Sequence, residues 1–169
     1  MTDSREKYLS HFPLFIDLKN KNIVVIGGGN IAERRVETLV NFGASITVIA
    51  PEISKRIGEL YCHGRINVIM REYKRGDLKN AFIVIIATNK KEVNDLAAKD
   101  ARELNILVNR ADNREECDFF FPAIFSDEEI VGGIISKCGS NHNAVKEKAA
   151  KIRELLNKGE LLNKGDLLI

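Results

Sequence analysis

Short β-branched runs alternate with stretches of helical periodicity along most of the chain. Ile23-Val24-Val25-Ile26 is apolar at every position and bounded by glycines, the pattern of a strand buried on both faces. From Ile31 to Phe42 the apolar residues Ala32, Val36, Leu39 and Val40 recur at i, i+4, i+7 and i+8. That spacing predicts a helix with one buried stripe, which Gly43 ends. Ile46-Thr47-Val48-Ile49 reads as a second strand, and a helical connection between two strands makes them parallel with a right-handed crossover. The alternation continues with a helix over Lys55 to Tyr61, a strand over Ile66 to Met70 and a fully apolar strand over Phe82 to Ala87. Asn89 with Glu92 three residues later predicts a capping box, opening a helix whose stripe is Val93, Leu96, Ala97, Ala101 and Leu104. A fifth strand, Ile106-Leu107-Val108, runs into Asn109-Arg110-Ala111-Asp112. The predicted class is α/β, a Rossmann-like doubly wound parallel sheet.

Beyond Asp112 the texture changes. Phe119 to Phe125 and Ile130 to Ser136 are apolar strands separated by the acidic turn Ser126-Asp127-Glu128-Glu129, which predicts an antiparallel hairpin. Its aromatic and β-branched surface needs cover, from a second copy of the chain or from the monomer's own core. A last helix carries Val145, Ala149, Ile152 and Leu156 in register, and Leu155 to Asp166 is a near-perfect tandem repeat of six residues. The expected organisation is a dinucleotide-binding domain over 1–112, a hairpin region for dimerisation and substrate over 113–142, and a C-terminal helix with the repeat over 143–169.

Composition narrows the partners. With 26 basic against 24 acidic residues and a formal charge of +2, bulk attraction to nucleic acid is not indicated. No apolar run approaches the length of a membrane span, and the start of the chain is polar. The cysteines, Cys62, Cys117 and Cys138, are odd in number and widely spaced, as expected of reduced thiols in a cytoplasmic protein.

The chemistry centres on Gly27-Gly28-Gly29-Asn30-Ile31-Ala32. A dinucleotide site requires one glycine for a tight turn, a second where backbone meets pyrophosphate, and a small third residue where helix packs on strand. Gly27, Gly29 and Ala32 supply these, and the following helix N-terminus offers N–H groups to the phosphates. An acidic residue closing the second strand would bind the adenine ribose, but the stretch reads Ile49-Ala50-Pro51-Glu52. Either Glu52 or the backbone around Ala50 and Pro51 is the candidate, so NAD against NADP stays open. Thr88 and Asn89 at the mouth of the fourth strand are candidates for ribose or nicotinamide contact, with helix capping the other reading of Asn89.

Phe12-Pro13-Leu14-Phe15-Ile16-Asp17-Leu18, Val24 to Arg35, Thr47 to Glu52, Ala87-Thr88-Asn89, Val108 to Asp112 and Phe121-Pro122-Ala123-Ile124 together resemble the precorrin-2 dehydrogenase domain of sirohaem synthases. The resemblance spans roughly residues 12 to 155 in consistent order. It implies oxidation of precorrin-2 to sirohydrochlorin with NAD+ as hydride acceptor, on the route to sirohaem or cobalamin; some family members also insert ferrous iron. It also implies that Asn30, Ile31, Pro51 and Glu52 lie along the cofactor and that Asp112 serves the chemistry. Independently, hydride removal from a reduced tetrapyrrole leaves a cationic system, which a carboxylate stabilises or deprotonates. Asp112 follows the fifth strand, at the carboxyl edge where doubly wound sheets bind ligands. A substrate rich in carboxylates calls for cations and donors, and Arg110, Arg114, Lys137 and Ser140 are the candidates.

Two features depart from the family pattern. Ser136 to Asn143 has Cys138 in place of a glycine and His142 in place of a proline, and no metal site is assigned to them. The helical region after the hairpin is also short. These departures keep open an alternative, a non-catalytic NAD(P)-binding regulatory module.

Overall fold

The computed structural model describes residues 11–137 and 141–157. They divide into two compact units: Phe15–Phe119, and a second that contains residues 11–14, 120–137 and 141–157.

In the first unit the apolar runs become five parallel strands, β1 (Asn22–Ile26), β2 (Ser45–Ile49), β3 (Asn67–Ile69), β4 (Ile83–Ile86) and β5 (Leu107–Arg110), in the order β3-β2-β1-β4-β5. This is the doubly wound sheet that the alternation predicts. Strand β1 pairs with both β2 and β4, and all four residues of β4 are buried. Their uninterrupted hydrophobicity follows from helices packing on both faces of the sheet. The chain winds outward from β1 to β2 and β3, then returns to β4 and β5 on the other side. The switch point therefore lies between the carboxyl ends of β1 and β4.

Helix α1 (Asn30–Val40) buries Ala32, Val36 and Leu39, as its periodicity requires. It stops two residues short of the predicted end, and the chain then turns through Gly43 at φ +68. Helix α2 (Lys55–Cys62) is capped by Ser54, whose hydroxyl accepts from the Ile57 N–H at 3.2 Å.

Helix α3 (Lys91–Glu103) corrects two expectations. No Asn89–Glu92 capping box forms: Lys90 is the cap residue, and its N–H donates to the Thr88 hydroxyl at 3.1 Å. The threonine, one residue earlier, takes over the local turn. The buried stripe is also rotated, to Asn94, Ala97, Ala98, Asp100 and Ala101, with Leu96 and Leu104 exposed. Alanines let the helix approach the sheet closely, and both buried polar residues have partners that offset their desolvation. Tyr73, for example, donates its hydroxyl proton to Asp100 at 2.8 Å.

The second unit holds the antiparallel pair β6 (Ala123–Ser126) and β7 (Val131–Ile134), and α4 (His142–Asn157). Both strands are shorter than their apolar runs, because aromatic residues 119–121 lie before the ladder begins. Phe125 faces Gly132 across the pair, and a Cβ there would stand 2.3 Å from the ring. Asp127 closes the turn by accepting from the N–H groups of Glu129 and Ile130, both at 2.8 Å. On α4, Ala149 is fully buried, and Arg153 donates to the Ile124 carbonyl. Cys138, Ser140 and most of the tandem repeat lie outside the described residues. Among the described residues no helix is long and apolar enough to cross a membrane.

Candidate active site

The glycine turn joins β1 to α1, and its three glycines do different work. Gly27 takes φ +117, and a Cβ on it would stand 2.3 Å from the Ala87 carbonyl oxygen. Gly28 has an ordinary φ, but a Cβ would stand 2.1 Å from the Glu52 carbonyl oxygen. Its own carbonyl accepts from the Ser54 N–H at 2.8 Å, so the turn is pinned to the loop after β2. Gly29 faces open space within 4 Å of its Cβ position. Gly29 is also the N-cap of α1, which opens without a side-chain cap. Bare backbone is thus presented where a dinucleotide pyrophosphate would approach. Ala32, buried in the first turn, lets the helix sit close against the sheet.

These residues open onto a cleft of about 740 Å³. Gly27, Gly29, Asn30, Ile31, Pro51, Glu52, Thr88 and Asn89 all line it, so the structure gathers nearly all the cofactor residues expected from sequence. Ala32, expected among the cofactor residues, is fully buried and does not line it. Gly28, placed in the turn by sequence but given no role of its own there, is required by the pinned turn. Sequence reasoning missed Glu72 and Lys90, whose side chains pair with each other at the cleft. The pairing holds Glu72 below the usual carboxylate range and Lys90 above the usual lysine range.

Asp112 lies two residues beyond β5. The Ala111 N–H donates to the Ile86 carbonyl at 2.9 Å, so the ladder with β4 holds the backbone that leads into it. Its carboxylate accepts two bonds from Arg110, Nε to Oδ1 at 3.0 Å and Nη2 to Oδ2 at 2.8 Å. The Asn94 amide donates a third at 3.0 Å. Chiefly through Arg110, these bonds lower its pKa to about 2, so the group is an anion at neutral pH.

Arg110 differs from its expected role as a substrate-side cation. Its side chain is 2% exposed and divided among three carboxylates, Asp112, Asp95 at 3.0 Å and Glu116 at 3.1 Å. The cation is consumed inside the protein, and its bonds raise its pKa further. Arg114 begins an exposed 3₁₀ turn, Arg114–Glu116, and Lys137 is exposed in the second unit. His142 is the first residue of α4.

A glycine turn capped only by backbone, at the switch point of a parallel sheet, defines a dinucleotide-binding domain of Rossmann type. Residues 14–123 match the family model described as "Putative NAD(P)-binding". The chain is similar to the "Probable multifunctional siroheme biosynthesis protein HemA" of Ruminiclostridium josui, with 47% identity over 85% of this chain and 28% of that protein. It is also similar to a siroheme synthase of Blochmanniella pennsylvanica (strain BPEN), with 33% identity over 89% of this chain and 31% of that protein. The chain therefore spans about three tenths of the length of these curated relatives. Among solved structures it resembles SirC, a precorrin-2 dehydrogenase, with a TM-score of 0.69 and 31% identity over 88% of this chain and 71% of that one. The chain belongs to the precorrin-2 dehydrogenase domain family found at the N-terminus of sirohaem synthases.

Proposed function

We propose that the chain oxidises precorrin-2 to sirohydrochlorin with NAD+ in tetrapyrrole biosynthesis, with Asp112 as its catalytic carboxylate. The observation that carries this reading is an anionic Asp112 fixed at the carboxyl edge of the sheet, one amide away from a wall of the dinucleotide cleft. The residues present fit the cofactor: Gly29 leaves backbone open to the pyrophosphate, and Asn30, Ile31, Pro51, Glu52, Thr88 and Asn89 would hold the rest. When bound, the nicotinamide supplies the hydride acceptor. Because its pKa is about 2, Asp112 stabilises positive charge developing on the substrate and is a poor store for a proton. This favours one of the two roles open to it from sequence alone.

Glu52 places a carboxylate in the cleft, which supports NAD over NADP because a 2′-phosphate would meet like charge; Glu72 adds little, since Lys90 pairs with it. Exposed Leu14, Ile130, Val131 and Ile135 in the second unit support the homodimer, and free Cys62 and Cys117 support the cytoplasmic location. Incubation with precorrin-2 and NAD+ should yield sirohydrochlorin and NADH in equal amounts. Turnover no higher than that of Asp112→Ala would sink the proposal. The same preparation given sirohydrochlorin and ferrous iron tests the chelatase activity that the family resemblance implies. The regulatory-module alternative is not favoured by the comparisons.

A further inference from the structure

Asn94 is a primary amide, 1% exposed, on the sheet-facing side of α3. Its neighbours fix which way the amide points. Nδ2 stands 3.1 Å from the Thr88 carbonyl oxygen and 3.0 Å from Asp112 Oδ2, both acceptors, while Oδ1 receives the Thr88 hydroxyl at 2.6 Å. A flipped amide would set an oxygen against a carbonyl and a carboxylate. The Thr88 hydroxyl also accepts from the Lys90 N–H. One side chain thereby ties both ends of Thr88, a residue lining the dinucleotide cleft, to the carboxylate of Asp112.

Arg110 alone could hold the carboxylate, but its other bonds run to Asp95 and Glu116, away from the cleft lining. Lys91 also bonds Asp95 at 2.7 Å, so the charged groups around Asp112 are Arg110, Asp95, Glu116 and Lys91. Of the three bonds Asp112 accepts from these side chains, Asn94 supplies the one whose donor also reaches Thr88.

We infer that Asn94 is a positioning residue that couples the dinucleotide cleft to Asp112 through Thr88. A dinucleotide that moves the Thr88 segment moves the amide, and the amide sets where the anion sits when the substrate develops charge. This rests on the proposed dehydrogenase reading for its effect on turnover, but the coupling itself does not. By linkage, whatever the cofactor does to the carboxylate, the carboxylate does in return to cofactor binding.

The test uses the full chain, with Asn94→Ala and, should that variant fail to fold, the near-isosteric Asn94→Leu, which removes the bonds to Thr88 and Asp112 without adding a charge. Two signals are read: turnover per bound NAD+, and the 13C resonance of the Asp112 carboxylate with and without NAD+. The expected result is a kcat lowered about tenfold, the size of one lost bond to a charged group, with NAD+ affinity changed less than about threefold. The Asp112 resonance should respond to NAD+ in the wild type and not in the variant. A purely structural Asn94 would lower the folded fraction and leave turnover per bound NAD+ intact; that result overturns the inference. If the wild type gives no turnover, the dehydrogenase reading fails, and the resonance alone decides the coupling: a wild-type Asp112 that ignores NAD+ overturns it.

Discussion

The two sides of the sheet's switch point are built from different materials. On the β1–β2 side, recognition is made from backbone: Gly27 and Gly28 are compressed against the Ala87 and Glu52 carbonyls, and Gly29 is left open. On the β4–β5 side it is made from polar side chains, with Thr88, buried Asn94, Asp112 and buried Arg110 bonded in succession. At Gly27 and Gly28 the backbone side tolerates little steric change, and the backbone itself carries no net charge. The side-chain side tolerates substitution sterically but depends on every charge having its partner. A turn proposed to meet phosphates and a carboxylate proposed to meet a developing cation should thus fail in different ways, and substitutions can show it.

The largest expected effect is steric. Gly28→Ala would drive a methyl to 2.1 Å from a carbonyl oxygen held by the loop after β2, and neither backbone segment can yield without breaking the Ser54–Gly28 bond. Gly27→Ala adds a positive φ to a similar clash. Each should lose about 3 kcal/mol in urea unfolding, from overpacking and backbone strain together. A loss below about 1 kcal/mol would show that the turn is not pinned in the way described.

Next comes the charge side. Arg110→Met removes the cation shared by Asp112, Asp95 and Glu116, leaving three carboxylates near one another. All three are partly solvated, so the loss should be about 2 kcal/mol, less than for a fully buried pair. The Asp112 pKa should rise toward that of an ordinary aspartate. Calorimetric unfolding at neutral pH measures the first effect and carboxyl NMR the second. Unchanged stability would mean that the side-chain half is held by its backbone after all.

The same contrast decides what the sequence discloses. Backbone recognition leaves a local mark, so Gly27, Gly29 and Ala32 stand at fixed spacing, and the strand order follows from the alternation of apolar runs and helices. Asp112 is legible through its place after the fifth strand and through the family resemblance. Its surroundings are not, because Thr88, Asn94 and Asp112 come from three separate segments. Only one local signal was present: Asn94 keeps the i, i+3, i+4, i+7 spacing with Ala97, Ala98 and Ala101, and an amide on a buried stripe must find partners. The stripe Val93, Leu96, Ala97, Ala101 and Leu104 that hydrophobicity predicts shares Ala97 and Ala101 with the buried one and passes over Asn94. Arg110 fits a substrate cation by position, because one sequence cannot show that three carboxylates already surround it.

A smaller effect follows from acid. The folded pKa of Asp112, about 2, lies below that of an unfolded aspartate, about 3.9. Its stabilisation is therefore complete above about pH 4 and is lost as pH falls toward 2. A third of the side chain faces water, so the discounted contribution is about 1 kcal/mol. Urea titrations of wild type and Asp112→Asn between pH 6 and pH 2.5 should show their stability difference shrinking by that amount below pH 4. A constant difference would mean that the three bonds to the carboxylate do not persist in solution.

The smallest change in stability should come from Gly29→Ala, and it separates the two sides most cleanly. The new methyl meets nothing within 4 Å, and φ is −86, a value any residue adopts. Alanine is a poorer N-cap than glycine but restricts the unfolded chain more, and these effects oppose each other to within about 0.5 kcal/mol. The methyl nevertheless occupies the space from which the backbone would meet the pyrophosphate. NAD+ affinity should fall at least about tenfold in fluorescence titration while the urea midpoint barely moves. Equal affinity in this variant would place the phosphates elsewhere in the cleft, and the openness of Gly29 would then need a different explanation from that of its two compressed neighbours.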